Sequence, residues 1–289
     1  MFHLILFPVD FSERCKQTIP FVKAFAERHA ATITLMHVIH IPAGCYGGIE
    51  TAFSGVFDVA EMETDARRQL TAFYGEGAEP AMPVGAHTTY GDPGREIVAY
   101  AAQNHIDLIM MPTAGHGKFR RWLLGSITAQ VLHDAHCPVW TASHAEQTGL
   151  VQHIDCRRIL CAVGRGETSL PVMRHAKDLA QESGATVSLV HAVPVTPAPD
   201  TFHAESQRLL ADSMNAARKQ IDELQRAAGT QWSVCVKGGS VSEVVREAAL
   251  QYSADLVVSG RGRLPEWFGG LRTHAYAVIR DSPCPVLSV

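Results

Sequence analysis

The sequence predicts an α/β protein made of two tandem domains, each an open sheet of five parallel strands in the order 3-2-1-4-5 with helices on both faces. Three observations carry this expectation. The chain of 289 residues states one pattern twice. Within each statement, short continuous apolar runs alternate with longer segments whose apolar residues recur every three or four positions. Such alternation joins parallel strands by right-handed crossovers, and strands covered on both faces read as unbroken apolar runs.

The repeat is visible in its anchors. Ile5-Leu6-Phe7-Pro8-Val9-Asp10 returns as Ile159-Leu160-Cys161-Ala162-Val163-Gly164, and Cys137-Pro138-Val139-Trp140 returns as Cys284-Pro285-Val286-Leu287. Between them His37 answers to His191, Gly91 to Gly238 and Asp107-Leu108 to Asp255-Leu256. Early anchors lie 154 residues apart and later ones 147, so the first copy is seven residues longer between its second strand and Gly91. The glycine- and proline-rich segment Pro42 to Gly48 is the expected place for that length. A unit of ~140 residues suits a whole globular domain and not a solenoid repeat. The domains are expected at 1–145 and 154–289, with the polar stretch His144 to Asp155 as linker.

In the first copy the strands are expected at Leu4–Val9, Thr32–Ile39, His87–Tyr90, Asp107–Met111 and Val139–Ala142. Helices are expected near Cys15–His29, Asp58–Glu76, Gly94–Asn104 and Ser126–Asp134, the first marked by the apolar stripe Ile19, Val22, Phe25 and Ala26. The second copy repeats the strands at Ile159–Val163, Thr186–Val193, Ser233–Val236, Leu256–Ser259 and Val286–Val289, with a long helix across about His203–Ala228.

Composition narrows the function classes. With 46% hydrophobic residues, 19% charged and a formal charge of −4, the chain can build two cores and shows no global basic surface for nucleic acid. Met1 to Phe7 is briefly apolar, lacks a basic flank and reads as a buried strand, not a signal peptide. No apolar run reaches the roughly 18 residues of a membrane span. Seven cysteines without a C-x-x-C pair fit reduced thiols in a cytoplasm. His133, His136 and Cys137 sit where a helix ends and a strand begins, which splits them as metal ligands. Neither an H-E-x-x-H nor a comparable ligand spacing is present among the fifteen histidines.

Ligands of such sheets collect beyond the carboxyl ends of the strands where strand order reverses, which directs attention to the loops after the first and fourth strands. After the first comes Asp10-Phe11-Ser12, where Asp10 is either a carboxylate at the mouth of the crevice or part of the cap that Ser12 offers the next helix. After the fourth comes Pro112-Thr113-Ala114-Gly115, then nine residues, then Gly125-Ser126 opening a helix. Glycine allows close backbone approach to an anion, and the first amides of a helix are free to donate to it. Gly125-Ser126 can equally just begin a helix. Lys118, Arg120 and Arg121 add positive charge to the loop, or form an ordinary solvated face.

Together these residues resemble the universal stress protein family, across nearly the whole chain and in two tandem domains. The family's nucleotide-binding members carry an Asp after the first strand, Gly-x-x-Gly then nine residues then Gly-Ser or Gly-Thr after the fourth, and a closing Cys-Pro-Val strand. Asp10, Gly115-x9-Gly125-Ser126 and Cys137-Pro138-Val139 match it. The resemblance implies an adenine nucleotide alpha hydrolase-like fold. It also implies adenine near Pro8, Val9, Asp10 and Val38, with phosphates on Gly115, Gly125, Ser126 and the Ile127 amide. Pro112 departs from the pattern: it stands where the family's first glycine belongs, brings no N–H and has a fixed φ. The Thr113 amide and hydroxyl are then expected to serve instead, with nucleotide affinity reduced or abolished.

The second copy departs further. Gly164 replaces the Asp, and Arg272-Thr273 replaces Gly125-Ser126, although Gly260-Arg261-Gly262 keeps glycine at the start of the loop. Arg272, with Pro265, Trp267 and Phe268 in a shortened loop, is expected to fill the phosphate space; the rival reading lets its guanidinium bind a phosphate. One competent site per chain is expected, in the first domain. His37 and His191 are read as structural and satisfied by local backbone, Trp122, Leu123 and Leu124 as packing or interface, and Met110 and Met111 as strand core.

No adenylating S-G-G-x-D-S loop, Walker A sequence or G-x-S-x-G elbow is present. What the resemblance implies is a stress or signalling protein that binds an adenine nucleotide, ATP with Mg2+ foremost, in its N-terminal domain. Its output would be a change of shape or partner, with at most slow hydrolysis. The alternative is a family member that binds no nucleotide and acts as an interaction scaffold. In this family the closing strands of two domains pair, which predicts an intramolecular pseudo-dimer and leaves a homodimer of chains open. No nucleic-acid or membrane partner is expected.

Overall fold

The computed structural model describes residues 2–39, 59–75, 84–113, 124–142, 156–195, 203–261 and 273–289. The chain divides into two compact units, built on residues 2–140 and 153–289.

The first unit runs β1 (Leu4–Pro8), α1 (Glu13–His29), β2 (Thr32–Ile39), α2 (Val59–Gly75), β3 (Val84–Tyr90), α3 (Pro93–Gln103), β4 (Leu108–Pro112), α4 (Ser126–Asp134) and β5 (Val139–Ala142). Its strands lie in the order β3-β2-β1-β4-β5. β1 is parallel to β2, with Leu4 opposite Thr32, and to β4, with Ile5 opposite Leu108. Order reverses between β1 and β4, so their carboxyl ends flank the crevice. Both strands are apolar throughout because helices cover both sides: Ile5, Leu6, Phe7, Leu108, Ile109 and Met110 are all fully buried. The stripe Ile19, Val22, Phe25 and Ala26 is the buried face of α1. That helix ends on Ala30 in the left-handed region, whose N–H returns to the Ala26 and Glu27 carbonyls.

The second unit repeats the plan with β6 (Arg158–Ala162), α5 (Leu170–Ser183), β7 (Thr186–Val193), α6 (His203–Ala228), β8 (Ser233–Gly238), α7 (Val241–Gln251), β9 (Leu256–Ser259), α8 (Thr273–Asp281) and β10 (Val286–Ser288). Its order is β8-β7-β6-β9-β10. The predicted strands and helices are all present, with shifts at their ends. β3 starts at Val84, three residues before His87, because its ladder with β2 begins at Ile33 opposite Val84. Asp107 stays outside β4: its carboxylate accepts the amides of His3 at 2.8 Å and Leu4 at 2.9 Å. Asp255 does the same for Arg157 at 3.0 Å and Arg158 at 2.9 Å.

Structural equivalences correct where the two copies differ in length. Gly91, with φ +142, donates its N–H to Ile39, and the residue doing this in the second unit is Gly239, with φ +149, donating to Val193. Gly239, not Gly238, is therefore the partner of Gly91, at a spacing of 148. The 154 spacing also persists beyond α2. Lys23 lies beside Gly75 and over the Tyr74 ring, while Lys177 donates to the carbonyls of Ala228 and Gly229. The extra length of the first copy is thus six residues after Gly75, within 76–83, and one more between β4 and α4. It is not in Pro42–Gly48, where glycine content alone had suggested a loop insertion; both of these segments lie outside the described residues.

Candidate functional site

The carboxyl end of β1 is tied down by local bonds. The Val9 amide donates to the Met36 carbonyl at 2.7 Å, and Asp10 then leaves the strand half-buried. Its Oδ1 accepts the Ser12 amide at 2.9 Å, a side-chain turn of the kind Asp favours. Ser12 caps α1, its Oγ accepting the Cys15 amide at 3.1 Å. Asp10 therefore combines the two expected roles in part: it supports the turn into the cap while standing at the mouth of the crevice. Behind it the Cys15 thiol donates to the Pro8 carbonyl at 3.5 Å. Burial, with the Asp10 carboxylate adding to it, pushes that thiol up to about 12.

His37 has the structural role expected of it. Its Nδ1 lies 2.8 Å from the Val9 carbonyl, and His191 makes the same 2.8 Å bond to Val163. A carbonyl only accepts, so Nδ1 carries the proton in both. Val38 follows on β2, half-buried and in register with Thr89.

The carboxyl end of β4 is built from three ties. The Pro112 carbonyl accepts the hydroxyl of Thr128, a buried residue on the first turn of α4, at 3.1 Å. The Thr113 carbonyl accepts the Gly125 amide at 2.8 Å, and the Gly125 carbonyl accepts the Ala129 amide at 2.8 Å. Gly125 is the N-cap of α4 in an extended conformation (φ −63°, ψ 147°) and has no side chain with which to cap it. The first amides of a helix have no partner within it, so those of Ser126 and Ile127 are presented outward with the positive end of the helix dipole. Ser126 is exposed and Ile127 is 39% exposed. α4 is seated on α3 by Gly94, where a Cβ would come 2.2 Å from Gln130 Oε1.

Nine of the ten expected site residues thus gather at one edge of the first unit. Pro8, Val9 and Asp10 end β1, Val38 is near the end of the adjacent β2, Pro112 and Thr113 end the adjacent β4, and Gly125, Ser126 and Ile127 open α4. Gly115, Lys118, Arg120, Arg121, Trp122 and Leu123 lie outside the described residues, as do Gly262, Pro265, Trp267, Phe268 and Arg272. Sequence reasoning missed Thr128, whose signal was a hydroxyl two positions beyond Ser126, and Phe11, which left no local signal.

At the equivalent edge of the second unit the groups differ. A Cβ on Gly164 would meet Ser169 Oγ at 3.7 Å, and one on Gly260 would meet Val172 Cγ2 at 3.2 Å. Arg261 turns to the last strand, its amide donating to the Val289 carbonyl at 3.1 Å and its Nε to the Ser288 carbonyl at 3.4 Å. Ala275 takes the place of Thr128. Among the described residues there is no cluster of His, Cys, Asp or Glu that could hold a metal ion, and no helix long and apolar enough to cross a membrane.

Comparison with known proteins follows the same division. A model of the universal stress protein family matches residues 1–142 and again 156–289. A universal stress protein of Methanocaldococcus jannaschii is 30% identical over 151 residues, covering 48% of this chain and 93% of the relative. Universal stress protein A homolog 1 of Coxiella burnetii is 31% identical over 135 residues, covering 47% and 92%. The crystal structure of a universal stress protein from Archaeoglobus fulgidus superposes over 99% of this chain and 95% of its own, with a TM-score of 0.65 at 21% identity, a likeness of fold.

Proposed function

Since the chain belongs to the universal stress protein family, we propose that its first unit binds an adenine nucleotide, ATP with Mg2+ foremost, and passes occupancy on as a change of shape or partner in a stress or signalling response. The observation that carries this reading is the uncapped start of α4 beside the carboxyl ends of β1 and β4. Tying the Gly125 amide to Thr113 leaves the Ser126 and Ile127 amides, with the Ser126 hydroxyl, as phosphate donors. Pro8, Val9 and Val38 offer apolar contact for the base, and Asp10 accepts hydrogen bonds from base or ribose. Gly115 completes the cradle by resemblance to the family. Bound ATP brings its magnesium on its own phosphates. At most slow hydrolysis is proposed, because the sequence carries no Walker A, adenylating or nucleophile-elbow motif to turn nucleotide contact into chemistry.

Calorimetric titration of the full chain with ATP and Mg2+ tests the reading, together with analysis of any nucleotide released when the purified protein is denatured. Saturable binding below millimolar concentration is expected; none at millimolar ATP removes the reading. Pro112 favours a second one, an interaction scaffold without nucleotide, because this residue has no N–H and its carbonyl is taken by Thr128. The proposal extends to a pseudo-dimer of the two units within one chain. Light scattering tells whether chains also pair.

A further inference from the structure

We infer that Phe11 is a positioning residue for Asp10, holding the carboxylate at the crevice mouth through an aromatic clamp on His37 and Phe73. The inference rests on the nucleotide reading above and deepens it. Phe11 has φ 60°, in the left-handed region that bulky residues avoid. Three other non-glycine residues share positive φ among the described residues, Ala30, His105 and Ser253, and each closes a helix at or just after its C-cap. Phe11 closes nothing. It lies between a strand and the cap of the next helix, so its conformation has to be held from outside.

The holding groups are aromatic. The Phe11 ring lies 4.6 Å from the His37 ring, and Phe73 of α2 meets it edge-on at 5.5 Å. His37 is itself fixed to the sheet by the Val9 carbonyl. The left-handed turn at Phe11 brings the Ser12 amide back to Asp10 Oδ1 at 2.9 Å. The ring contacts, the backbone turn and the carboxylate orientation thus form one unit.

The second copy serves as an internal control. It keeps the histidine and its bond to the Val163 carbonyl just after β6, yet Gly164 and Arg165 stand where Asp10 and Phe11 stood. Positive φ moves to Gly166 (φ +95), and glycine adopts it without steric cost, so no clamp is needed there. His191 is left with a buried Nε2 lacking a hydrogen-bond partner. Carboxylate and aromatic ring have gone together while the histidine stayed. This joint loss is expected if the ring serves the carboxylate; the ring's partner Phe73 has gone with them, its counterpart being Ala227, so the variants below separate that role from packing.

A double-mutant cycle on the full chain decides the matter, read as ATP affinity by calorimetry with cooperative thermal unfolding confirmed for each variant. Phe11→Ala and Asp10→Asn should each weaken ATP about tenfold, near the worth of one hydrogen bond, and the double variant should be no weaker than Asp10→Asn alone. Phe73→Leu, a smaller change that leaves Phe11 itself in place, should weaken it in the same direction and lose its effect in the Asp10→Asn background. Losses that multiply, or full affinity in Phe11→Ala and Phe73→Leu, overturn the inference while leaving the nucleotide reading intact. Absence of ATP binding by the unaltered protein overturns that reading, and the inference with it.

Discussion

In the first unit Asp10, Phe11, Gly125 and Thr128 stand where the second carries Gly164, Arg165, Arg272 and Ala275, whereas the bonds beneath are shared. Asp107 and Asp255 each gather two amides at the start of the first strand, His37 and His191 each hold the carbonyl just past its end, and Lys23 and Lys177 each reach the end of the second helix. The two histidines satisfy backbone carbonyls in part-buried and buried places, where an unpaired acceptor is costly, while the carboxylates fix amides at the exposed start of the strand. The mouth residues carry less of that burden. They were free to diverge, and only the first copy retains a carboxylate, a glycine cap and a hydroxyl tie around one helix start.

The sharpest way to break this comparison is to transplant it. Gly125→Arg with Ser126→Thr writes the second mouth into the first, and should weaken ATP binding about a hundredfold by filling the space before the α4 amides. Arg272→Gly in the second unit should create no compensating site, because Gly164 still supplies no carboxylate; calorimetry reads both.

Next in size is the frame. Asp107→Ala and Asp255→Ala should each destabilise their own unit by about 1 to 2 kcal/mol, since each loses two charge-assisted bonds at an exposed strand start that water partly replaces. Urea unfolding checks this, and a large effect in one unit with none in the other would refute the shared frame. Thr128→Val should cost about 1 to 2 kcal/mol, because the Pro112 carbonyl loses its donor in a buried place. Its second-unit counterpart is already Ala275, so Ala275→Val tests packing alone.

The smallest expected difference is in pH dependence. Burial first, then the Arg67 charge, lowers the His87 pKa below the ordinary histidine value. Between the lowered folded value and about 6.5 the unfolded chain binds more protons, so stability is full above that window and falls as pH drops through it. The second unit has Cys235 at the corresponding position of β8 and lacks this component. Urea midpoints at pH 7 and pH 5 should fall less in His87→Gln than in the unaltered chain; an unchanged difference would locate the acid sensitivity elsewhere.

Much of this was legible locally. The start of α4 at Ser126 and the whole span of α6 follow from capping chemistry and periodicity, which depend on near neighbours in the chain. His37 and His191 were legible because the repeat shows them twice near strand ends. Misplacement of the length difference has the opposite origin. Glycine and proline in Pro42–Gly48 signal a loop but not its length relative to another copy, and only the pairing of Lys23 with Gly75 and Lys177 with Gly229 aligned the two copies beyond that point.

By itself the sequence determined the repeat, the alternation of strands and helices, and the chemical inventory of each mouth, since period, cap and residue identity are properties of contiguous chain. Tertiary structure alone decided that β1 and β4 lie side by side, that Thr128 closes onto Pro112, and that rings from β2 and α2 hold Phe11 in a left-handed turn. Those contacts join residues from 16 to more than 100 positions apart, and their geometry arises from packing two faces of a sheet, which no local window contains.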